Sequence, residues 1–216
     1  MWRIALLLCC WWTASVASVA LADDDKFAKW EKEIAAFEAA DQKQMPPKGG
    51  IVFVGSSTIR LWDVKKAFPK LPVINRGFGG SQTEDVVHFF ERIVLPYEPC
   101  AVVFYSGDND LNAGKSPEQV AEDFKALEKK MADRLPNARF FVISIKPSPA
   151  RWKLFEAQTK ANKLIREHCE ECCGVPSFVD VVKPMLGADG QPPEELFVKD
   201  RLHLSPAGYA IWNKDR

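Results

Sequence analysis

The sequence predicts an α/β fold, a three-layer sandwich in which a mostly parallel sheet of about five strands carries helices on both faces. Three observations predict it. Five short apolar runs, rich in β-branched and aromatic residues, lack the polar alternation of a half-exposed sheet and read as strands buried on both sides. Longer amphipathic segments with recognisable starts lie between them. Strand and helix thus alternate along the chain, an order that favours parallel pairing through right-handed crossovers.

Taken from the N-terminus, residues 1–22 stand apart. Arg3 precedes an apolar stretch from Ile4 to about Leu21 that ends in Ala20-Leu21-Ala22, the form of a secretory signal with a small-residue cleavage site. Its removal, with Cys9 and Cys10, is expected to leave residues 23–216 as a single domain, ample for one core. The destination is then the periplasm or the medium, with no stable membrane insertion after cleavage; an uncleaved tether is the alternative.

Phe27, Trp30, Ile34 and Phe37 fall at helical spacing in a charged background, which predicts an amphipathic helix over about residues 25–43. Met45-Pro46-Pro47-Lys48-Gly49-Gly50 ends it. Strands are expected at Ile51–Val54, Val73–Ile74, Ala101–Tyr105, Phe140–Ile145 and Phe178–Val181. Ser81 with Glu84, and Ser116 with Gln119, fit capping boxes, Pro117 takes the favoured first helical position, and Ser205-Pro206 opens a last helix similarly.

Lysine plus arginine balance aspartate plus glutamate at 29 each, with no long basic run. That argues against a nucleic-acid surface or a polybasic membrane patch and leaves a small molecule as the expected partner, with the oligomeric state open.

In open α/β sheets, ligands bind beyond the carboxyl ends of the strands. Four motifs fall there. Gly55-Ser56-Ser57 follows the first strand, Gly77-Phe78-Gly79-Gly80 the second, Gly107-Asp108-Asn109-Asp110 the third, and Asp200-Arg201-Leu202-His203 lies in the loop after the fifth. Together they supply a hydroxyl, an imidazole with a nearby carboxylate, and donors for a developing oxyanion. Alone, each has a plainer reading: Ser57 as a helix cap, the glycines as a loop, Asp200 to His203 as a solvated turn before Ser205. Their convergence on one rim favours catalysis. The glycine-rich turn lacks the dinucleotide fingerprint and the P-loop lysine. Asp108, Asp110 and Asn112 open like a calcium loop, yet Ala113 replaces its glycine and Gln119 its closing glutamate. Asp110 is instead expected to support the loop that aims Asn109.

In this order the motifs resemble the SGNH hydrolase family, the GDSL-type esterases and lipases, and the stretch from Asn75 to Gly80 is similar to its platelet-activating-factor acetylhydrolase-like branch. The resemblance implies an SGNH/flavodoxin-like sandwich and an esterase in which Ser57 is the nucleophile, His203 the base and Asp200 its partner. It implies an oxyanion hole from the backbone N–H groups of Ser57 and Gly80, with Gly79 the alternative to Gly80, and the Asn109 amide. No metal and no organic cofactor is required. Ser56 stands where the family usually carries an aspartate that is not the triad acid. The chain ends 13 residues after His203, which leaves little room for a helix beyond Tyr209, Ile211 and Trp212.

The loop Lys146-Pro147-Ser148-Pro149-Ala150-Arg151-Trp152 projects onto the same rim, where Arg151 and Trp152 are candidate contacts for a sugar or a polar head group. No long apolar lid is evident. A short acyl ester, acetyl above all, of a carbohydrate or similar small molecule is the expected substrate. A lysophospholipase or short-chain lipid esterase is the close alternative, and an inactive ligand-binding module the alternative of another class. Cys100 and His168-Cys169-Glu170-Glu171-Cys172-Cys173 fall at the opposite rim. For an exported protein a disulfide from Cys100 to this cluster is the leading expectation and zinc the lesser one. His88 and His168 read as ordinary surface or partly buried side chains.

Overall fold

The computed structural model describes residues 26–172 and 176–214; the expected signal segment and Cys173 lie outside the described residues. Five strands, β1 (Ile51–Gly55), β2 (Val73–Gly77), β3 (Ala101–Tyr105), β4 (Arg139–Ile143) and β5 (Ser177–Val179), form one sheet in the order β2-β1-β3-β4-β5. Every pair is parallel. This is the doubly wound, flavodoxin-like order, with its switch point between β1 and β3. Gly55 is level with Gly77 on one side and Tyr105 on the other, so the loops after β1, β2 and β3 leave the sheet along one edge.

The helices are α1 (Glu31–Lys43), α2 (Ser57–Arg60), α3 (Val64–Ala67), α4 (Thr83–Ile93), α5 (Asp108–Asn112), α6 (Pro117–Arg134), α7 (Phe155–Glu171) and α8 (Pro206–Trp212). A 3-10 turn at Ala28–Trp30 leads into α1. Arg76 ion-pairs with Asp41 of α1 at 2.5 Å, and the Tyr97 hydroxyl donates to the same carboxylate, docking the N-terminal helix on the sheet. The α6 capping box forms as expected, with the Gln119 N–H donating to Ser116 Oγ at 3.2 Å and the Ser116 N–H to Gln119 Oε1 at 2.8 Å. The box expected at Ser81 and Glu84 falls one residue later: Asp85 accepts the Gln82 N–H at 2.8 Å. Ser81 is drawn off because its hydroxyl donates to Phe78 O at 2.9 Å, closing the glycine turn.

Strand ends also differ from expectation, β1 running on to Gly55 and β2 to Gly77, where Val54 and Ile74 were the expected ends. The strand expected to reach Ile145 ends at Ile143, because the Asn162 side chain of α7 stands in for a neighbouring strand: it accepts the Ile145 N–H at 2.7 Å and donates to Ile145 O at 2.9 Å. β5 stops at Val179, and the Val181 N–H turns to Ser144 Oγ at 2.9 Å.

Alternation along the strands divides the interior. Val52, Val54, Val102, Phe104, Phe140 and Val142 meet α1, α4, α6 and α7 through Ile34, Phe90, Phe124, Leu127 and Ile165. Phe53, Tyr105 and Ile143 point the other way, onto Trp62, Leu204 and Trp212. That second layer is built of short helices, and a groove of about 350 Å³ crosses it over Phe53, Val103, Phe141 and Trp212. Among the described residues no helix is long and apolar enough to cross a membrane.

Candidate active site

The nucleophile turn begins at Gly55, whose φ of +138° and whose hydrogen in place of a Cβ are both required: a Cβ there would lie 1.9 Å from Tyr105 O. Ser56, fully buried, donates its N–H to Tyr105 O at 3.0 Å and ends the strand. Ser57 is the first residue of α2, so its N–H has no intrahelical acceptor, and among the described residues no other carbonyl takes it. Hydroxyl and N–H are thus both presented at the end of β1.

His203, 146 positions away in sequence, places Nε2 2.9 Å from Ser57 Oγ, while its Nδ1 lies 2.6 Å from Asp200 Oδ2. A carboxylate offers only acceptors, so Nδ1 carries the proton and the Nε2 lone pair faces the serine hydroxyl. Asp200 Oδ1 accepts the N–H groups of Leu202 and His203, both at 2.9 Å. Arg201, in the left-handed region at φ +59°, makes the turn tight enough for this. Burial works against ionisation of Asp200, but the bond from the His203 ring and the two backbone N–H groups outweigh it and hold the carboxyl at about 2. The turn is pinned from outside as well: the Ala150 N–H donates to Arg201 O at 3.0 Å, and the Val198 N–H to His203 O at 2.9 Å.

Across from this relay, Gly80 adopts φ +82° in the turn after β2, and a Cβ on it would sit 3.3 Å from the Trp30 ring. Among the described residues its N–H, like that of Ser57, meets no backbone acceptor. Gly79 faces the Arg60 guanidinium instead, 2.8 Å from where its Cβ would be. Asn109 donates from Nδ2 to Ser81 O at 2.9 Å, which joins the third motif to the second. Asp110, fully buried, accepts the Thr83 N–H at 3.0 Å and the Gly107 N–H at 3.1 Å, tying the same two loops together. Burial pushes the Asp110 carboxyl up, opposed by the Thr83 N–H and the Lys115 charge.

The loop after β4 reaches this rim with its side chains turned inward. Arg151 donates from Nη2 to Asn109 Oδ1 at 2.9 Å and holds Nη1 3.1 Å from Asp108 Oδ2. Trp152 stacks on Phe155 with ring centres 4.4 Å apart. Lys146 is fully buried, 3.6 Å from the same Asp108 oxygen. The pairing of Asp108, a residue of the third motif, with Lys146 and Arg151, and the place of Trp30 against Gly80, are the contributions to this region that the sequence reading did not assign. A lysine following the apolar Ile143-Ser144-Ile145, with an aspartate inside the third motif to meet it, was the available signal. A groove of about 550 Å³ lined by Leu61, Trp62, Leu204, Pro206 and Tyr209 runs beside the relay.

The structure thus brings Ser57, Asp200, His203, Gly80 and Asn109 to one rim. Among the described residues the expected bridge from Cys100 is not formed: Cys100 is an exposed free thiol and Cys169 a buried one, pushed up to about 12 by burial. Cys169 is on the buried face of α7, where it packs in the apolar layer as a small hydrophobic side chain. His88 stacks on Phe27 at 3.8 Å, and His168 holds Nε2 3.8 Å from Glu128 Oε2.

Comparison with known proteins places the chain in a family. A match to the GDSL-like Lipase/Acylhydrolase family spans residues 60–211, beginning just beyond Ser57. The chain is 31% identical over 185 residues to the platelet-activating factor acetylhydrolase IB subunit alpha1 of Pongo abelii, covering 79% of this chain and 74% of that protein. Its fold superposes on a GDSL-like lipase from Bacteroides thetaiotaomicron with a TM-score of 0.67 at 20% identity, covering 87% of this chain and 93% of the other. A catalytic mutant of an acetylxylan esterase from Geobacillus stearothermophilus superposes with a TM-score of 0.58 at 15% identity, covering 77% and 92%. The chain belongs to the GDSL-like lipase/acylhydrolase family and is an ester-hydrolysing serine hydrolase.

Proposed function

We propose that the enzyme cleaves short acyl esters, acetyl above all, of a carbohydrate or similar small molecule through an acyl-enzyme on Ser57. The observation that carries the reading is the unbroken relay from Ser57 Oγ through His203 to Asp200, at 2.9 and 2.6 Å. His203 Nε2 takes the hydroxyl proton as Ser57 attacks the ester carbonyl, and Asp200 stabilises the imidazolium. The tetrahedral oxyanion is held by the N–H groups of Ser57 and Gly80 and the second N–H of Asn109 Nδ2. The imidazolium then protonates the departing alkoxide. Water activated by the same nitrogen releases the acid and restores the serine. The 31% identical relative is named for removing an acetyl group, which supports a short acyl preference. Residues 1–22 support export, to the periplasm or the medium.

A second reading, a lysophospholipase or short-chain lipid esterase, is favoured by the groove beside the relay and by Leu61 in it, 47% exposed at the end of α2. Hydrolysis of a p-nitrophenyl ester series from acetate to palmitate by residues 23–216, with Ser57→Ala as control, separates the two. Ser57-dependent turnover that falls steeply beyond short chains is the expected result; a maximum at long chains transfers the assignment to lipids. A folded wild type that neither turns over nor takes a fluorophosphonate label points to a binding module.

A further inference from the structure

The Asn109 carboxamide can donate to an oxyanion only if its nitrogen, not its oxygen, faces the reacting carbon. The two ends of an amide have nearly the same shape, so packing alone does not choose between them. Chemistry chooses here, and from both sides. Ser81 O can only accept, so the end 2.9 Å from it must be nitrogen. The Arg151 guanidinium can only donate, so the end 2.9 Å from its Nη2 must be oxygen. A flip would set donor against donor at Arg151 and acceptor against acceptor at Ser81.

Arg151 is itself braced for this. Its Nη1 lies 3.1 Å from Asp108 Oδ2, with the two side chains 12% and 5% exposed, and the fully buried Lys146 approaches the same oxygen at 3.6 Å. The backbone kinks at Arg151, at φ −118° and ψ 23° within the 3-10 segment Pro149–Leu154, and the preceding Ala150 is bonded to Arg201 between Asp200 and His203. One short segment therefore touches both the oxyanion donor and the acid–base turn. A guanidinium committed to Asn109 and Asp108, and mostly buried, is poorly placed to greet a substrate.

We propose that Arg151 is a positioning residue for ester hydrolysis, clamping Asn109 Oδ1 so that an Nδ2 hydrogen points at the developing oxyanion. The proposal rests on the hydrolase reading of this site. A cationic donor on Oδ1 also draws electron density from the amide, which strengthens its N–H groups as donors. Arg151 acts through Asn109 and makes no contact with the reacting atoms.

The test is a double-mutant cycle of Arg151→Met and Asn109→Ala, read as kcat and KM on p-nitrophenyl acetate, with melting temperature recorded for each protein. Arg151→Met is expected to lower kcat by about 10- to 100-fold with KM changed less than about threefold, and Asn109→Ala to cost on the order of 100-fold. The double variant should be no slower than Asn109→Ala alone. Arg151→Lys, which keeps a charge against Asp108 but loses the planar fork, should stay folded and show the same dependence on Asn109; it carries the cycle if the Met variant does not fold. Arg151 effects that appear in KM, or that persist undiminished in the Asn109→Ala background, overturn the positioning role in favour of substrate contact. An unchanged kcat in both Arg151 variants overturns it outright. Those failures leave hydrolysis standing so long as Ser57→Ala abolishes turnover, whereas turnover that survives Ser57→Ala removes the hydrolase reading and the proposal together.

Discussion

The carboxylate of Asp200 accepts three hydrogen bonds while remaining half exposed, and its held value of about 2 fixes how it behaves with pH. The folded value lies below the ordinary 3.8, so whatever stability the ionised group adds is fully present above pH 3.8 and is lost as pH falls through about 2. Urea unfolding of wild type and Asp200→Asn should therefore show a stability difference at neutral pH that closes between those two values. In the rate profile from pH 8 to 4, Asp200 stays charged throughout, so Asp200→Asn should lower the whole profile rather than reshape its acid limb. The expected fall in kcat is on the order of 10⁴-fold, because an amide offered to Nδ1 favours the tautomer with Nε2–H facing Ser57. Asp108 answers a different question. Removing its charge leaves the mostly buried Arg151 guanidinium without its carboxylate and takes from Lys146, whose pKa burial already lowers, the charge that favours its ammonium form, so Asp108→Asn should destabilise the protein by about 3–5 kcal/mol in denaturant unfolding. Residues of these two kinds were not equally legible. Ser57, Gly80, Asn109, Asp200 and His203 sit in short motifs whose residue types already imply donors, a base and a nucleophile. Lys146 and Asp108 meet only because β3 and β4 are neighbours, a fact of topology that spacing along the chain does not contain.

At the scale of elements, the site is a set of strand-to-helix turns that place their first residues on a common edge, and the β1 turn tolerates least. Gly55→Ala would put a methyl 1.9 Å from a backbone oxygen of β3 while holding an L-residue at φ +138°. Neither strain can be relieved without parting β1 from β3 or lowering α2, and α2 carries Ser57 as its first residue. The variant is expected to lose about 3 kcal/mol or more and to label with fluorophosphonate far more slowly than wild type under conditions where both are folded. The strands themselves were readable because a buried parallel strand has a compositional mark, and their parallel pairing followed from alternation with helices, whereas the order β2-β1-β3-β4-β5 across the sheet did not. Their ends were less so. Asn162 replaces a strand partner at Ile145, and the Ser81 hydroxyl closes its own turn instead of capping α4, so both boundaries are set by side chains competing for backbone groups.

For the whole molecule, the two faces of the sheet are covered unequally, and stability should follow that asymmetry. The face under α1, α4, α6 and α7 is sealed: Phe124 is 1% exposed and stacks on Phe140. The opposite face is closed by α2, α3 and α8, with the end of the chain tied to α2 by Tyr209 donating to Thr58 O at 2.8 Å and to the turn between α2 and α3 by Trp62 donating to Asn213 Oδ1 at 2.9 Å. Phe141 lies in the groove this layer leaves and is only partly buried. Truncating a sealed phenylalanine opens a cavity that the surrounding helices cannot fill, whereas truncating one at a groove enlarges a space already open to solvent. Phe124→Ala should therefore cost about 3–5 kcal/mol, and Phe141→Ala only about 1–2 kcal/mol, in urea unfolding at one temperature. Equal costs would mean that the groove is closed in solution and that the thin layer carries as much of the fold as the thick one. The distinction reaches the active site, since Ser57 is on the thin side: Tyr209→Phe, which removes the tie from α8 to the residue after the nucleophile, should lower kcat while moving the unfolding free energy by no more than about 1.5 kcal/mol.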